Sequence, residues 1–324
     1  MTVGRAGPDY SALTVKGIIG SYYKSLEDEL AGSWASKVGV FVDSNQETES
    51  YKWLGHAPQL REWLNARMIK GTPVRAHTIT NATYEATLGV DVEDFHFDKT
   101  GQLKIRVAEL AKRGAQHWEK LVSALIEANG ICYDSQNFFD TDHSMGGDNS
   151  TAYSNALTNS DIAALNVATA AAATAEEWKE IIIRLAQYFY TYKDNANEPY
   201  NGGARAFALM VSAAQWGNAL AAVRSDRLGS ATTNGGNTNA MQTQDFKVEV
   251  ICNPRLTSDT VAYMFRTDSA MKPFILQEAV PPEMSFLGEG SDEHFKFNRY
   301  LFGVKAVRAA GLGEWAHAIK ATLS

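Results

Sequence analysis

Between Tyr84 and Val92 apolar and polar positions alternate without a break. Tyr84, Ala86, Leu88, Val90 and Val92 fall on one face, and Glu85, Thr87, Gly89, Asp91 and Glu93 on the other, the period-two pattern of a half-buried strand. The phase slips at Glu93-Asp94 before Phe95 and Phe97, which predicts a bulge or bend, and residues 76–81 are placed to supply the pairing strand of a hairpin. A hairpin of two strands is marginal by itself, so it needs a surface to lie on, such as a neighbouring subunit. From Leu103 the spacing changes. Leu103, Val107, Leu110, Ala111, Trp118, Leu121, Val122 and Leu125 recur near every 3.6 residues, with Asn129-Gly130 as the stop. They predict a helix from Leu103 to Ala128, roughly 39 Å long at ~1.5 Å per residue.

Further along, Ile131 to Asp148 reads as a strand running into a loop. Thr174-Ala175-Glu176-Glu177 is a capping-box pattern before Trp178, Ile181, Ile182, Leu185, Phe189 and Tyr192, which share a helical face. Phe207 to Val211 suits a buried strand. Ser212-Ala213-Ala214-Gln215 offers a second capping box into a helix ending near Arg224, so this part of the chain reads as an α/β lobe. Residues 229–243, rich in Gly, Asn, Thr and Ser, read as a loop. Alternation returns at Phe246, Val248, Val250 and Cys252, at Val261, Tyr263 and Phe265, and at Tyr300, Phe302, Val304 and Ala306. Ahead of all this lie one amphipathic stretch, Val15 to Leu30, a polar run from Asp43 to Glu49, and a Pro-containing turn between Trp53 and Trp63 whose aromatics are expected to anchor an arm. No internal repeat is present.

With 324 residues and 45% hydrophobic content, the chain can build a substantial core. Lys plus Arg number 30 against 37 for Asp plus Glu, a net charge of −7 with no long basic run, which argues against tight sequence-specific nucleic-acid binding. The two cysteines, Cys132 and Cys252, form neither a disulfide framework nor a zinc knuckle and read as buried thiols. Met1 to Tyr10 lack the features of a signal peptide and no apolar run is long enough for a membrane span, so the expected site of synthesis is the cytosol.

Candidate chemistry is sparse. Asp140, Asp142 and His143 carry metal-ligand groups in one loop, yet Asp in loops more often caps turns. No Gly-x-Ser-x-Gly, paired Cys and His, phosphate-binding loop or dinucleotide fingerprint appears. Trp53, Trp63, Trp118, Trp178, Trp216 and Trp315 each sit in an apolar pattern and read as core, and Glu27-Asp28-Glu29 reads as a solvated face.

Several motifs together resemble the Mu-like prophage major head subunit family, of the gpT type. They are Trp53-Leu54-Gly55 with Leu60-Arg61-Glu62-Trp63, Tyr84 to Val90, the stretch Cys132-Tyr133-Asp134-Ser135-Gln136-Asn137-Phe138-Phe139-Asp140-Thr141-Asp142-His143, then Asn253-Pro254-Arg255-Leu256, Lys272-Pro273-Phe274, Tyr300 to Val304, and Ala309 to Trp315. They cover most of the chain from about residue 50, with 151–245 matching more loosely. The resemblance implies an α+β Hong Kong 97-type capsid fold. Its parts would be an N-terminal arm at 1–50, the start of a peripheral domain at 51–69, an extended loop at 70–100, a spine helix at 101–130, an axial domain at 131–265 and a return to the peripheral domain at 266–324. It implies a non-enzymatic major capsid protein of a tailed phage or prophage, without cofactor, located in the virion after assembly in the host cytoplasm.

Its expected partners are copies of itself in hexamers and pentamers, a separate scaffolding protein, a portal, decoration proteins and non-specifically held DNA, with no membrane. Inter-subunit contacts are expected at Tyr84, Glu85, Leu88, Val90 and Val92, flanked by Lys70 and Lys99. Two rival readings are an encapsulin-like compartment shell of the same fold and a metal-dependent hydrolase using Asp140, Asp142 and His143.

Overall fold

The longest element of the computed structural model is a helix, α4 (Gln102–Ala128), laid against a second one near the start of the chain, α1 (Tyr10–Gly32). The structure describes residues 10–54, 74–97, 101–146, 149–225, 227–228, 237–238 and 246–324. Leu103, Val107, Ala111, Ala115, Trp118, Val122 and Ile126 of α4 are buried at steps of three and four, and Val15, Ile18, Tyr22 and Leu26 of α1 keep the same rhythm. The helices meet at Gly114, where an added Cβ would lie in ordinary van der Waals contact with Tyr22 and Leu26, at 3.5–3.6 Å. The stop falls where expected, with Asn129 in the left-handed region at φ 45° and its N–H bonded to the Leu125 carbonyl. Residues 1–50, expected to form an arm, thus include a helix packed on its own subunit.

Between these helices the chain passes through α2 (Ala35–Val38), β1 (Gly39–Asp43), β2 (Thr48–Leu54), β3 (Val74–Thr80), β4 (Ala82–Asp91) and α3 (Val92–Phe97). The expected strand forms as β4, but the expected hairpin does not. β3 pairs with β2, and β4 pairs with a strand near the end of the chain, β14 (Arg299–Leu312). One residue, Asn81, separates β3 from β4, too short a link to reverse direction. Its N–H donates to the Glu47 carbonyl and its side-chain amide to Ser44 Oγ and the Gln46 carbonyl. The phase slip at Glu93-Asp94 is the short helix α3, which turns Phe95 inward against Tyr300 and Phe302.

A four-stranded sheet runs β1-β13-β14-β4, with β13 spanning Phe274–Leu287 and a short helix, α7 (Asp292–Phe297), joining β13 to β14. No pattern announced β13, because Pro281-Pro282 interrupts it. The ladder accommodates them through irregularities between Glu278 and Val280 and between Val280 and Glu283, where the missing N–H groups cost no pairing. The expected strand at 131–148 is mostly turns. Among the described residues its one strand is β5 (His143–Gly146), paired with β6 (Asn149–Tyr153), and Ile131 and Asn137 form an isolated antiparallel bridge.

The second sheet, ordered β11-β8-β12-β15-β7, comprises β7 (Ala156–Leu157), β8 (Ala206–Val211), β11 (Lys247–Cys252), β12 (Val261–Arg266) and β15 (Ala318–Thr322). Helices α5 (Ala175–Phe189) and α6 (Ala213–Arg224) pack with it into the expected α/β lobe around Trp178, Phe189, Phe207 and Phe265. Within 266–324, β13 and β14 lie in the first sheet, while β15 pairs with β12 in this lobe. Thr174 closes the expected capping box with Glu177. Ser212 does not, because Gln215 points inward, accepting from Trp178 Nε1 and donating to the Ala170 and Asp259 carbonyls. In the loop 229–243, the only described residues are those of β10 (Asn237–Thr238), paired with β9 (Arg227–Leu228).

Trp118, Trp178 and Trp315 are core, as expected, whereas Trp216 is 40% exposed. The Trp53 side chain and the 55–73 segment with Trp63 lie outside the described residues. Cys132 is buried, but Cys252 only half-buried.

Candidate functional site

The loop that follows α4 carries a network of buried and half-buried polar groups. Asn129 clamps it, accepting from the Phe139 N–H and donating to the Phe139 carbonyl. His143 enters this interior with no exposed side-chain surface, its Nδ1 2.6 Å from Asp134 Oδ2 and its Nε2 3.2 Å from Asn155 Oδ1. Its ring stacks on Trp315, 4.1 Å between centroids. Both ring nitrogens are thus turned to oxygen partners within the protein, and neither opens onto solvent where a metal could reach it. Asp140 turns the other way and caps its own loop, accepting from the Asn137 and Thr141 N–H groups, and Asp142 is exposed. Asp140, Asp142 and His143 therefore do not converge, and among the described residues no group of three metal-ligating side chains does. Beside them Tyr133 donates to Glu314 Oε1 at 2.8 Å. Burial pushes the Glu314 carboxyl up to about 7, against the lowering effect of the Tyr133 hydroxyl and the Ala316 N–H. This network fastens the end of α4 to the crossing from β14 to β15, a structural task.

The expected inter-subunit residues divide between two settings. Val90 is buried among Val15, Ile18, Val107 and Phe302 of its own subunit, and Leu88 and Val92 pack against the same cluster. Tyr84 meets the His117 ring edge-on at 4.3 Å, and burial lowers the His117 pKa to about 4. Thr83, Glu85, Thr87 and Gly89 are exposed, and β4 is the outer strand of its sheet. A ten-residue outer strand exposed along one face is a template for pairing with another chain. Lys70 and Lys99 lie outside the described residues.

A third feature carries no sequence signal. Under α1, a recess of about 540 Å³ is lined by Tyr23, Phe41, Trp118, Pro281 and Pro282, with Arg308 at its wall. Arg308 is 3% exposed. Its guanidinium lies 4.8 Å above the Trp118 ring and donates one bond to the Gly114 carbonyl, while Nε and Nη1 have no acceptor among the described residues. It stands opposite Glu278 in the β13–β14 ladder, and burial raises the Glu278 pKa and lowers that of Arg308.

An N-terminal helix, an exposed outer strand, a spine-like helix, an α/β lobe and a long strand pair leading back to the first sheet make up the Hong Kong 97-type fold of capsid shell proteins. The chain superposes over 96% of its length on the solved procapsid of bacteriophage JBD30, covering 76% of that chain, with a TM-score of 0.55 and 22% identity. A virus-like particle from Pyrococcus furiosus matches with a TM-score of 0.53 and 10% identity, covering 95% of this chain and 98% of that one.

Sequence narrows the class. Residues 13–173 and 228–324 match the Mu-like prophage major head subunit gpT, and the chain belongs to that family. It is 31% identical to the major capsid protein of Escherichia phage Mu over 134 residues, 40% of this chain and 44% of that protein. It is 29% identical to the FluMu major head subunit of Haemophilus influenzae over 136 residues, 41% of this chain and 44% of that protein. The matched region thus spans less than half the length of these relatives.

Proposed function

We propose that this chain is the major head subunit of a tailed bacteriophage or prophage, and that it works by assembling with copies of itself into an icosahedral shell enclosing DNA. The observation that carries this reading is the family match across 13–173 and 228–324, on a fold shared with phage capsids. In this reading the lobe built on β8, β12 and β15 is the axial domain, which meets its copies in hexamers and pentamers. The sheet holding β13 and β14, with α1 and α4, is the peripheral domain. The 70–100 segment lies along an adjacent subunit, using the outward side of β4, while its inward residues hold it to its own subunit. A separate scaffolding protein guides closure, and portal and decoration proteins complete the head, which is built in the host cytoplasm and ends in the virion. None of these roles is catalytic.

Many modest contacts repeated around closed symmetry give a stable whole. Electron microscopy with sedimentation, on the protein alone and with its scaffolding partner, tests the reading. Uniform shells or five- and six-membered rings are expected, and persistent monomers in both preparations would overturn it. A compartment shell, the reading that the Pyrococcus furiosus particle supports, would contain enzyme in place of DNA.

A further inference from the structure

Of the large apolar side chains left exposed among the described residues, Ile105, Ile131 and Trp216 stand apart and the other five collect at two places. Tyr23 and Phe41 line the recess under α1, and Leu287, Phe295 and Phe297 stand where β13 passes into α7 and β14. Phe295, on α7, is 90% exposed. A single exposed aromatic needs no explanation. Three apolar side chains around one short helix make a knob suited to a partner surface.

The recess has complementary walls. Trp118, Phe41, Pro281 and Pro282 are apolar, and its volume lies within the ~300–1,000 Å³ usual for ligand pockets. Its buried cation, Arg308, has two N–H donors idle among the described residues, an unfavourable state for buried polar groups until an acceptor arrives. On α7, Asp292 lies three residues before Phe295 and so shares its face. The Asp292 side chain is 91% exposed, bonded at 3.2 Å to a partly exposed Lys296.

We infer that α7 of one copy docks into the recess of a neighbouring copy, with Phe295 between the aromatic and proline walls and the Asp292 carboxylate accepting from the Arg308 guanidinium. Lys296 then faces Glu278 and Glu283 on the β13 side of the same recess. A knob on one part of a chain and its socket on another give a head-to-tail contact, the kind from which rings close. The contact rests on the shell reading, since it needs copies held side by side.

The test replaces Phe295 with photoreactive benzoylphenylalanine in the full chain, mixed with unmodified chain of different isotopic mass and assembled with the scaffolding partner. After irradiation, cross-links from position 295 are expected in peptides spanning 23–41 or 278–283, in pairs of unlike mass. Phe295→Ala and Asp292→Lys should each lower shell yield about tenfold, as the loss of an interface anchor does, without changing the melting temperature of the isolated subunit. Shells with cross-links elsewhere, or only within one copy, would overturn the docking and leave the shell reading standing. If the unmodified chain forms no shells with any scaffold, the shell reading fails and this contact with it.

Discussion

Glu314 is an acid kept from water, and its pKa of about 7 makes stability depend on pH. Unfolded, the carboxyl titrates near 4.5, so between about 4.5 and 7 the folded chain holds a proton that the unfolded chain has released. Stability is therefore greatest below that window and is lost as pH rises through it. At ~1.4 kcal/mol per tenfold change in proton affinity, the loss across the window is on the order of 3–4 kcal/mol. Glu314→Gln keeps an oxygen for the Tyr133 hydroxyl and removes the charge. Urea midpoints should show the variant more stable than the parent at pH 8 and equal to it near pH 4, and a constant difference across the range would refute the assignment. His143→Ala should cost about 3–5 kcal/mol, since it strands the Asp134 carboxylate without its partner, whereas Asp142→Ala on the exposed side should stay within ~0.5 kcal/mol. Turn capping by Asp140 was legible in the sequence. The pairing of His143 with Asp134 was not, because a nine-residue separation in a loop shows periodicity of neither kind, and only the fold brings Trp315 over the ring.

At the level of elements, two capping boxes that look alike in sequence behave differently. Thr174 accepts from the Glu177 N–H and Glu177 accepts back from the Thr174 N–H, and the Ala168 N–H, with that of Thr174, draws the Glu177 pKa down. Thr174→Ala should lower stability by about 1 kcal/mol. The Ser212 hydroxyl is buried and makes no bond among the described residues, so Ser212→Ala should be neutral or stabilising, because it removes a buried unsatisfied group. Chemical denaturation of both variants decides, and equal losses would mean that the Ser212 cap forms in solution. Helices α4 and α5 were readable because burial of one face imposes its period over many residues. Strand β13 was not, since its prolines break the alternation, and the partner of β4 was mistaken because strand pairing is settled by distant residues, here more than 200 positions away.

At the scale of the whole molecule, the weakest features of the isolated subunit, an open outer strand, an apolar recess and an exposed knob, all make sense if copies cover them. Glu85 and Thr87 project from the exposed side of β4, and the Thr87 hydroxyl donates to the Glu85 carboxylate at 3.1 Å. Replacing both with Lys should leave the subunit's melting temperature nearly unchanged, as surface substitutions do, while placing like charges wherever that strand meets a neighbour. Each subunit in a closed shell makes several contacts at once, so a loss of ~1.4 kcal/mol per subunit raises the concentration needed for assembly about tenfold, and losses at several contacts compound. Light scattering against protein concentration should show a sharp threshold for the parent and a threshold at least about tenfold higher for Glu85→Lys with Thr87→Lys. An unchanged threshold would mean that β4 faces solvent in the shell, and the inter-subunit contact would then have to come from another face of the subunit.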